Sequence, residues 1–155
     1  MISSNDPFLN ALAEWLFKAA VPRLGRRRGD GTAKLNGELI KFCLSNYVHT
    51  AREVDLRLFH SPGADWFGKL DWVMRPKRNA TATYAIEIDS ANNSKSIEKL
   101  LKARQLNYVP VWIRWCTEIR IEIPEEIVLI DLTEAGSEVH GQQRNADRLS
   151  TNQTV

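Results

Sequence analysis

The chain has 155 residues, 43% hydrophobic and 26% charged, with 21 Lys and Arg against 19 Asp and Glu for a formal charge of +2. That is the material of one globular domain with a real core, and too little for two ordinary domains. No apolar run approaches the roughly 20 residues that cross a bilayer, no basic and apolar leader of a secretory signal opens the sequence, and +2 is modest for a protein that only coats nucleic acid, so a cytoplasmic protein without a membrane span is expected.

Asp6-Pro7 followed by Phe8, Leu9, Leu12, Trp15, Leu16 and Ala19 has helical spacing, with an acid to cap the first turn and a proline inside it. The glycine-containing stretch PRLGRRRGDGTAK follows, with Arg23, Arg26, Arg27, Arg28 and Lys34 against the single acid Asp30. It reads as a basic loop, either a phosphate contact or a solvated linker. A second helix is expected from Asn36 to Val48, with Leu39, Ile40, Phe42, Cys43 and Tyr47 inward and Glu38 and Lys41 at polar positions. Cys43 and Cys116 have no metal-type spacing and are expected as buried, reduced thiols.

The period then changes from 3.6 to two. Glu53 to Phe59 alternates polar and apolar, Lys69-Leu-Asp-Trp-Val-Met74 forms a second short strand, and a turn carrying Arg75, Lys77 and Arg78 leads into a third strand from Ala82 to Asp89. Ser94 to Leu106 is helical, with Ile97, Leu100 and Leu101 inward and Lys95, Lys99, Lys102 and Arg104 outside or flanking. Val109 to Trp115 is an apolar run typical of a central strand. Strand, helix and strand in this order make a right-handed crossover between parallel strands. Ile119–Ile123 and Ile127–Leu132 read as two further strands, and the polar segment after Gly136 as a loose tail. The expected organisation is an N-terminal helix and basic loop over 1–34, an α/β domain over 35–133 and a polar tail over 134–155.

One segment resists a purely structural reading. In YAIEIDSANNSK, residues 84–95, Glu87 and Asp89 lie two apart on a strand and share a face, while Tyr84, Ile86 and Ile88 take the other. Two neighbouring carboxylates repel one another, so a partly desolvated pair needs a cation or hydrogen-bond donors. The structural alternative is an acidic face open to water.

The order helix, strand, strand, strand, helix, strand, with Asp71 in KLDWVM and Glu87-Ile88-Asp89 one strand later, resembles the core of the PD-(D/E)xK nuclease superfamily over roughly residues 36–115. The third strand and the segment LNYVPVWIRW, residues 106–115, are similar to the very-short-patch-repair endonucleases and their small relatives. Ser90 and Ala91 replace that group's glycine region, and Asn92 and Asn93 stand where its histidine is expected. The resemblance implies a restriction endonuclease-like α/β core, a mixed central sheet flanked by helices, with an extra N-terminal helix. It implies a metal-dependent endonuclease acting on DNA, with Asp71, Glu87 and Asp89 as catalytic acids and Mg2+ or Mn2+ ligands and Glu38 as a further ligand from the helix. Asp89 occupies the usual place of the lysine, so Lys95 is expected to return an ammonium group to the site, with Lys69 as a weaker candidate.

The chemistry is consistent with that implication, because hydrolysing a phosphodiester calls for an activated water and neutralised phosphoryl charge, and hard cations held by carboxylates supply both. Arg26, Arg27, Arg28, Arg75, Lys77 and Arg78 are the candidate DNA contacts. Two other readings stand beside it. One is an inactive protein of the same fold that binds nucleic acid or a protein partner. The other is a subunit that docks on a partner, or on a second copy, through Phe8, Leu12, Trp15 and Phe17 of its N-terminal helix.

Overall fold

A computed structural model describes residues 5–20, 24, 28–56, 68–77 and 82–133. Three helices, α1 (Pro7–Trp15), α2 (Arg28–Ser45) and α3 (Ser94–Gln105), pack on a sheet of β1 (Val48–Asp55), β2 (Lys69–Pro76), β3 (Tyr84–Asp89), β4 (Val109–Arg114) and β5 (Val128–Asp131). The strands lie in chain order. β1, β2 and β3 run antiparallel as a meander, and β3, β4 and β5 run parallel. This is an α/β architecture with a mixed sheet, and the crossover through α3 joins parallel neighbours as expected.

The sheet is covered on both faces. Trp72, Met74, Tyr84, Ile86, Ile88, Val111, Ile113 and Trp115 share one core with α1 and α2, to which Leu9, Leu12, Leu16, Leu35, Leu39 and Phe42 contribute. Ala85, Trp112 and Ile127 share the opposite core with Leu100 and Ala103 of α3. The expected alternation along β3 therefore holds for Tyr84, Ile86 and Ile88. The acidic face, however, lies beneath α3 instead of in water.

Asp6 explains how α1 is fixed. Its Oδ1 accepts from the backbone N–H of Phe8 and Leu9 at 3.0 and 3.1 Å, and its Oδ2 accepts from the Tyr84 hydroxyl at 3.0 Å, so one carboxylate caps the helix and ties it to β3. A π-helical turn, Leu16–Ala20, continues α1. Leu12 is buried and Phe8, Trp15 and Phe17 pack against the chain's own core. The apolar residues that suggested a docking helix are thus used internally.

Several boundaries differ from expectation. α2 starts at Arg28, so the second half of the basic stretch is helical and the boundary expected at 34 falls inside a helix. Gly31 accounts for this: a Cβ built on it would lie 2.1 Å from the Trp115 ring, so this glycine admits the indole against the helix and does not make a flexible loop. α2 also stops three residues early, and β1 begins at Val48 where helix was expected. Its residues from His49 to Glu53 are exposed, as an edge strand allows, so no apolar alternation marks it. Residues 57–59 of the strand expected there lie outside the described residues. Ile119–Ile123 forms no strand; Ile121 and Ile123 pack on the α3 side without joining the ladder. The tail over 134–155 lies outside the described residues. Cys43 is buried as expected, which pushes its thiol up to about 11, but Cys116 is exposed; both are free.

Replacing Gly31 by Ala is expected to lower the melting temperature. Overpacking against a fixed indole costs about 1–3 kcal/mol, more than the ~1 kcal/mol by which Ala is the better helix former. Thermal denaturation followed by circular dichroism checks the sign.

Candidate functional site

The β2–β3 ladder pairs Met74 with Tyr84, Val73 with Ala85 and Trp72 with Ile86, and there it stops. The next residues across from one another are Asp71 and Glu87. Side chains take over the backbone's role: Asp71 Oδ2 accepts from the Ile88 N–H at 2.8 Å, and Glu87 Oε1 accepts from the Asp71 N–H at 3.2 Å. Two carboxylates are thereby pinned side by side where the strands cease to bond.

α3 closes over them. Ser96, Leu100 and Ala103 form its buried stripe at i, i+4 and i+7. From this stripe the Ser96 hydroxyl donates to Glu87 Oε2 at 3.1 Å. Lys99, three residues along the same face, forms an ion pair with that oxygen and donates to the Lys69 carbonyl at 2.9 Å. Glu87 is only 2% exposed. Burial, then the Asp71 charge, push its carboxyl from 4.5 up to about 7, against the pull of Lys99 and of the Asp71 N–H. Burial also raises Asp71, with Asp89 and Glu53 adding in the same direction and the Ile88 N–H and Lys99 opposing.

Glu53 was not foreseen. Arg52 pairs with Trp72 and Val54 with Leu70, so Glu53 stands across from Asp71 on β1, and it holds a left-handed φ of 52° inside the strand. That conformation is costly for a residue with a Cβ. The core membership changes there too: Trp72 packs on the α2 side, whereas Leu70, Val54 and Leu56 belong to the α3 side.

Asp89 is held differently from the other two acids. Its Oδ2 accepts from the Trp112 indole N–H at 2.8 Å and its Oδ1 from the Asn93 amide at 3.0 Å. Asn93 in turn caps α3 by accepting from the Lys95 N–H. Beneath this, Arg114 is fully buried and clasps the turn: its guanidinium donates to the Asp89 carbonyl at 2.8 Å, to the Ala91 carbonyl, and to the Thr117 carbonyl and hydroxyl at 3.2 Å each. Asn92 accepts from the Arg120 N–H at 3.1 Å and donates to the Glu118 carbonyl at 3.2 Å. The two asparagines at the histidine position are thus turn-building residues.

Lys95, expected at the site, is exposed in the first turn of α3, and the lysine that reaches Glu87 is Lys99, one turn further on. Lys69 contributes its carbonyl, while its side chain belongs to an exposed residue. Glu38 is buried on α2, where its Oε1 accepts from Lys41 at 2.7 Å; the charges acting on Asp71 are those of Lys99, Asp89 and Glu53, and those acting on Glu87 are Asp71 and Lys99. Among the described residues, no three His, Cys, Asp or Glu side chains are gathered in a metal-holding group. Arg75 and Lys77 are exposed but lie at the far end of β2, about 13 Å or more along the strand from Asp71 at ~3.3 Å per residue. Arg26, Arg27 and Arg78 lie outside the described residues; Arg28 opens α2, with its side chain outside them.

Glu87 and Asp89 come from the carboxyl end of β3, beside the same end of its parallel neighbour β4. The carboxyl edge of parallel strands is where ligands bind in open α/β sheets. Comparison with family models, with curated proteins and with solved structures gives no match for the chain.

Two tests follow. A carboxyl that is raised on folding stabilises the fold fully below its unfolded value, 4.5, and loses that contribution as pH rises through about 7. Urea denaturation across this range should show stability falling with pH by at most ~1.4 kcal/mol per unit from this group, and Glu87→Gln should flatten the profile. Arg114→Lys should destabilise by about 3 kcal/mol or more, because an ammonium cannot serve the acceptors that two guanidinium nitrogens share; the unfolding midpoint checks it.

Proposed function

We propose that the chain is a metal-dependent nuclease that hydrolyses phosphodiester bonds in DNA, with Asp71 and Glu87 as the carboxylates that hold the cation. The observation that carries this reading is the pair itself. Two acids from neighbouring strands, Glu87 buried and Asp71 half-buried, are locked together by each other's backbone, and burial first, then neighbouring negative charge, raises both. Such an arrangement opposes folding unless ionised oxygens gain a strong partner, and a hard divalent cation is the partner that carboxylate oxygens prefer.

The donor set fits Mg2+ or Mn2+, which when bound would polarise a phosphoryl oxygen and lower the pKa of a coordinated water. Lys99 supports the reading from the protein side, since its ammonium already rests on Glu87 and can offset phosphate charge at that edge. In this assignment Lys99 takes the role expected of Lys95. Asp89 adds negative charge near Asp71, while its oxygens brace the turn through Trp112 and Asn93. The element order agrees with the resemblance to PD-(D/E)xK nucleases: a helix, an antiparallel meander of three strands, a helix and a parallel strand. Lys69, Lys95 and Arg120, exposed around the carboxyl edge, are suited to steer a polyanion toward the site.

Purified protein incubated with supercoiled and linear DNA is expected to cleave with Mg2+ or Mn2+ and not with EDTA. Asp71→Ala and Glu87→Ala should each lower the rate by about 100-fold or more, and Lys99→Met by about 10- to 100-fold. At subsaturating Mg2+ the rate should climb as pH rises through about 7, because Glu87 must ionise to take up the metal, and saturating Mg2+ should move that rise to lower pH. Cleavage that survives both carboxylate substitutions would remove the site. DNA binding without cleavage or metal uptake would establish instead the inactive, nucleic-acid-binding member of the fold.

A further inference from the structure

Glu87 already carries a cation. Its Oε2 faces the Lys99 ammonium at 2.5 Å and the Ser96 hydroxyl at 3.1 Å, and its Oε1 accepts from the Asp71 N–H. A carboxylate oxygen accepts at about two lone-pair positions, so these two donors fill Oε2, and it opens to another partner only when one of them leaves. Ser96 is fully buried in the inner stripe of α3, and its short side chain is fixed there with the helix. Lys99 differs. Its side chain is 18% exposed, on a four-carbon stem that lets the ammonium reach water while the helix stays in place. Its second acceptor, the Lys69 carbonyl, belongs to an exposed residue.

The same ammonium acts on both acids. Burial leads the rise of the Asp71 and Glu87 carboxyls, and Lys99 opposes that rise at each. Asp71 spends Oδ2 on the Ile88 N–H, and its Oδ1 accepts no hydrogen bond among the described residues. One positive charge therefore stands beside the two carboxylates to which the nuclease reading assigns a divalent ion.

We propose that Lys99 is the resident counter-cation of this site: it holds Glu87 Oε2 until a divalent ion is taken up, then gives that oxygen up and turns outward to meet phosphate at the carboxyl edge. The inference rests on the nuclease reading and adds to it a competition between Lys99 and the metal. Two cations on one carboxylate repel each other, most strongly where water is scarce, so the fixed hydroxyl stays and the movable ammonium goes. Until then Lys99 spares Glu87 from being a buried ion with neutral donors alone. A lysine that merely fastened α3 to the sheet would stay on Glu87 throughout, and its loss would not improve metal binding.

Two measurements on the full chain test this, neither of them cleavage. With lysine carrying 13C at Cε, the Lys99 signal is identified by its absence from Lys99→Met. It should change from that of a rigid to that of a mobile side chain as Mg2+ is added, in step with uptake followed by calorimetry. At about pH 9, above the value of about 7 at which Glu87 titrates, Lys99→Met should bind Mg2+ at least about threefold more tightly than the wild type, the gain expected on removing a partly exposed ion pair. Uptake of Mg2+ with the Lys99 signal still rigid overturns the proposal and leaves the nuclease reading standing. So does a folded Lys99→Met that binds Mg2+ no more tightly than the wild type; where circular dichroism shows this variant unfolded, the wild-type signal decides alone. If neither protein takes up Mg2+, the nuclease reading falls, and this inference with it.

Discussion

Glu87 is a carboxyl placed where water does not reach, and much of its surroundings compensates for that. One oxygen takes the Asp71 N–H; the other takes the Ser96 hydroxyl and the Lys99 ammonium. An unpaired buried charge is worth several kcal/mol against folding, so these partners are constraints on α3 and β2 as much as consequences of them. The helix must lie across β3 with Ser96 and Lys99 downward, and the β2–β3 ladder must end where Asp71 can use its side chain in place of its backbone. Even with every partner present, burial and Asp71 keep the carboxyl near neutrality in its titration.

Around that point the molecule divides its labour by sheet face. The α1 and α2 side is apolar and is anchored by an Asp6 that caps one helix and holds Tyr84. The α3 side carries the polar chemistry at its carboxyl edge, where Arg114 clamps the turn between β3 and α3 to the residues after β4. The buried guanidinium interacts almost wholly with carbonyl and hydroxyl oxygens, so it gives shape to the edge; burial lowers its pKa, and Asp89 and Asp131 oppose that. A rigid turn beneath a strained carboxyl pair is an arrangement suited to binding a cation and a phosphate without further rearrangement.

The parts legible in the sequence were those written by periodicity or caps. Asp6-Pro7 announced α1, the 84–89 alternation announced which residues of β3 point to the core, and the apolar run from Val109 announced a central strand. Glu87 and Asp89 stood out because acids are rare in such strands, and Asp71 entered through the resemblance of the element order. What escaped notice depends on tertiary contact. Gly31 looked like loop chemistry, yet serves the Trp115 ring. β1 hid because an exposed edge needs no apolar face. Lys99 was passed over for Lys95, although Ser96, Leu100 and Ala103 mark the inner stripe and Lys99 borders it. Glu53 gave no signal, since a left-handed backbone at a non-glycine residue is imposed by its neighbours.

The central claim is that Glu87 is a buried, strained carboxyl awaiting a cation. The most direct measurement is carbon-detected NMR titration of its side-chain carboxyl, with and without saturating Mg2+. The account predicts a midpoint near the value of about 7 without metal, displaced well downward when Mg2+ is present. A midpoint near the ordinary 4.5, or one that Mg2+ does not move, would contradict it.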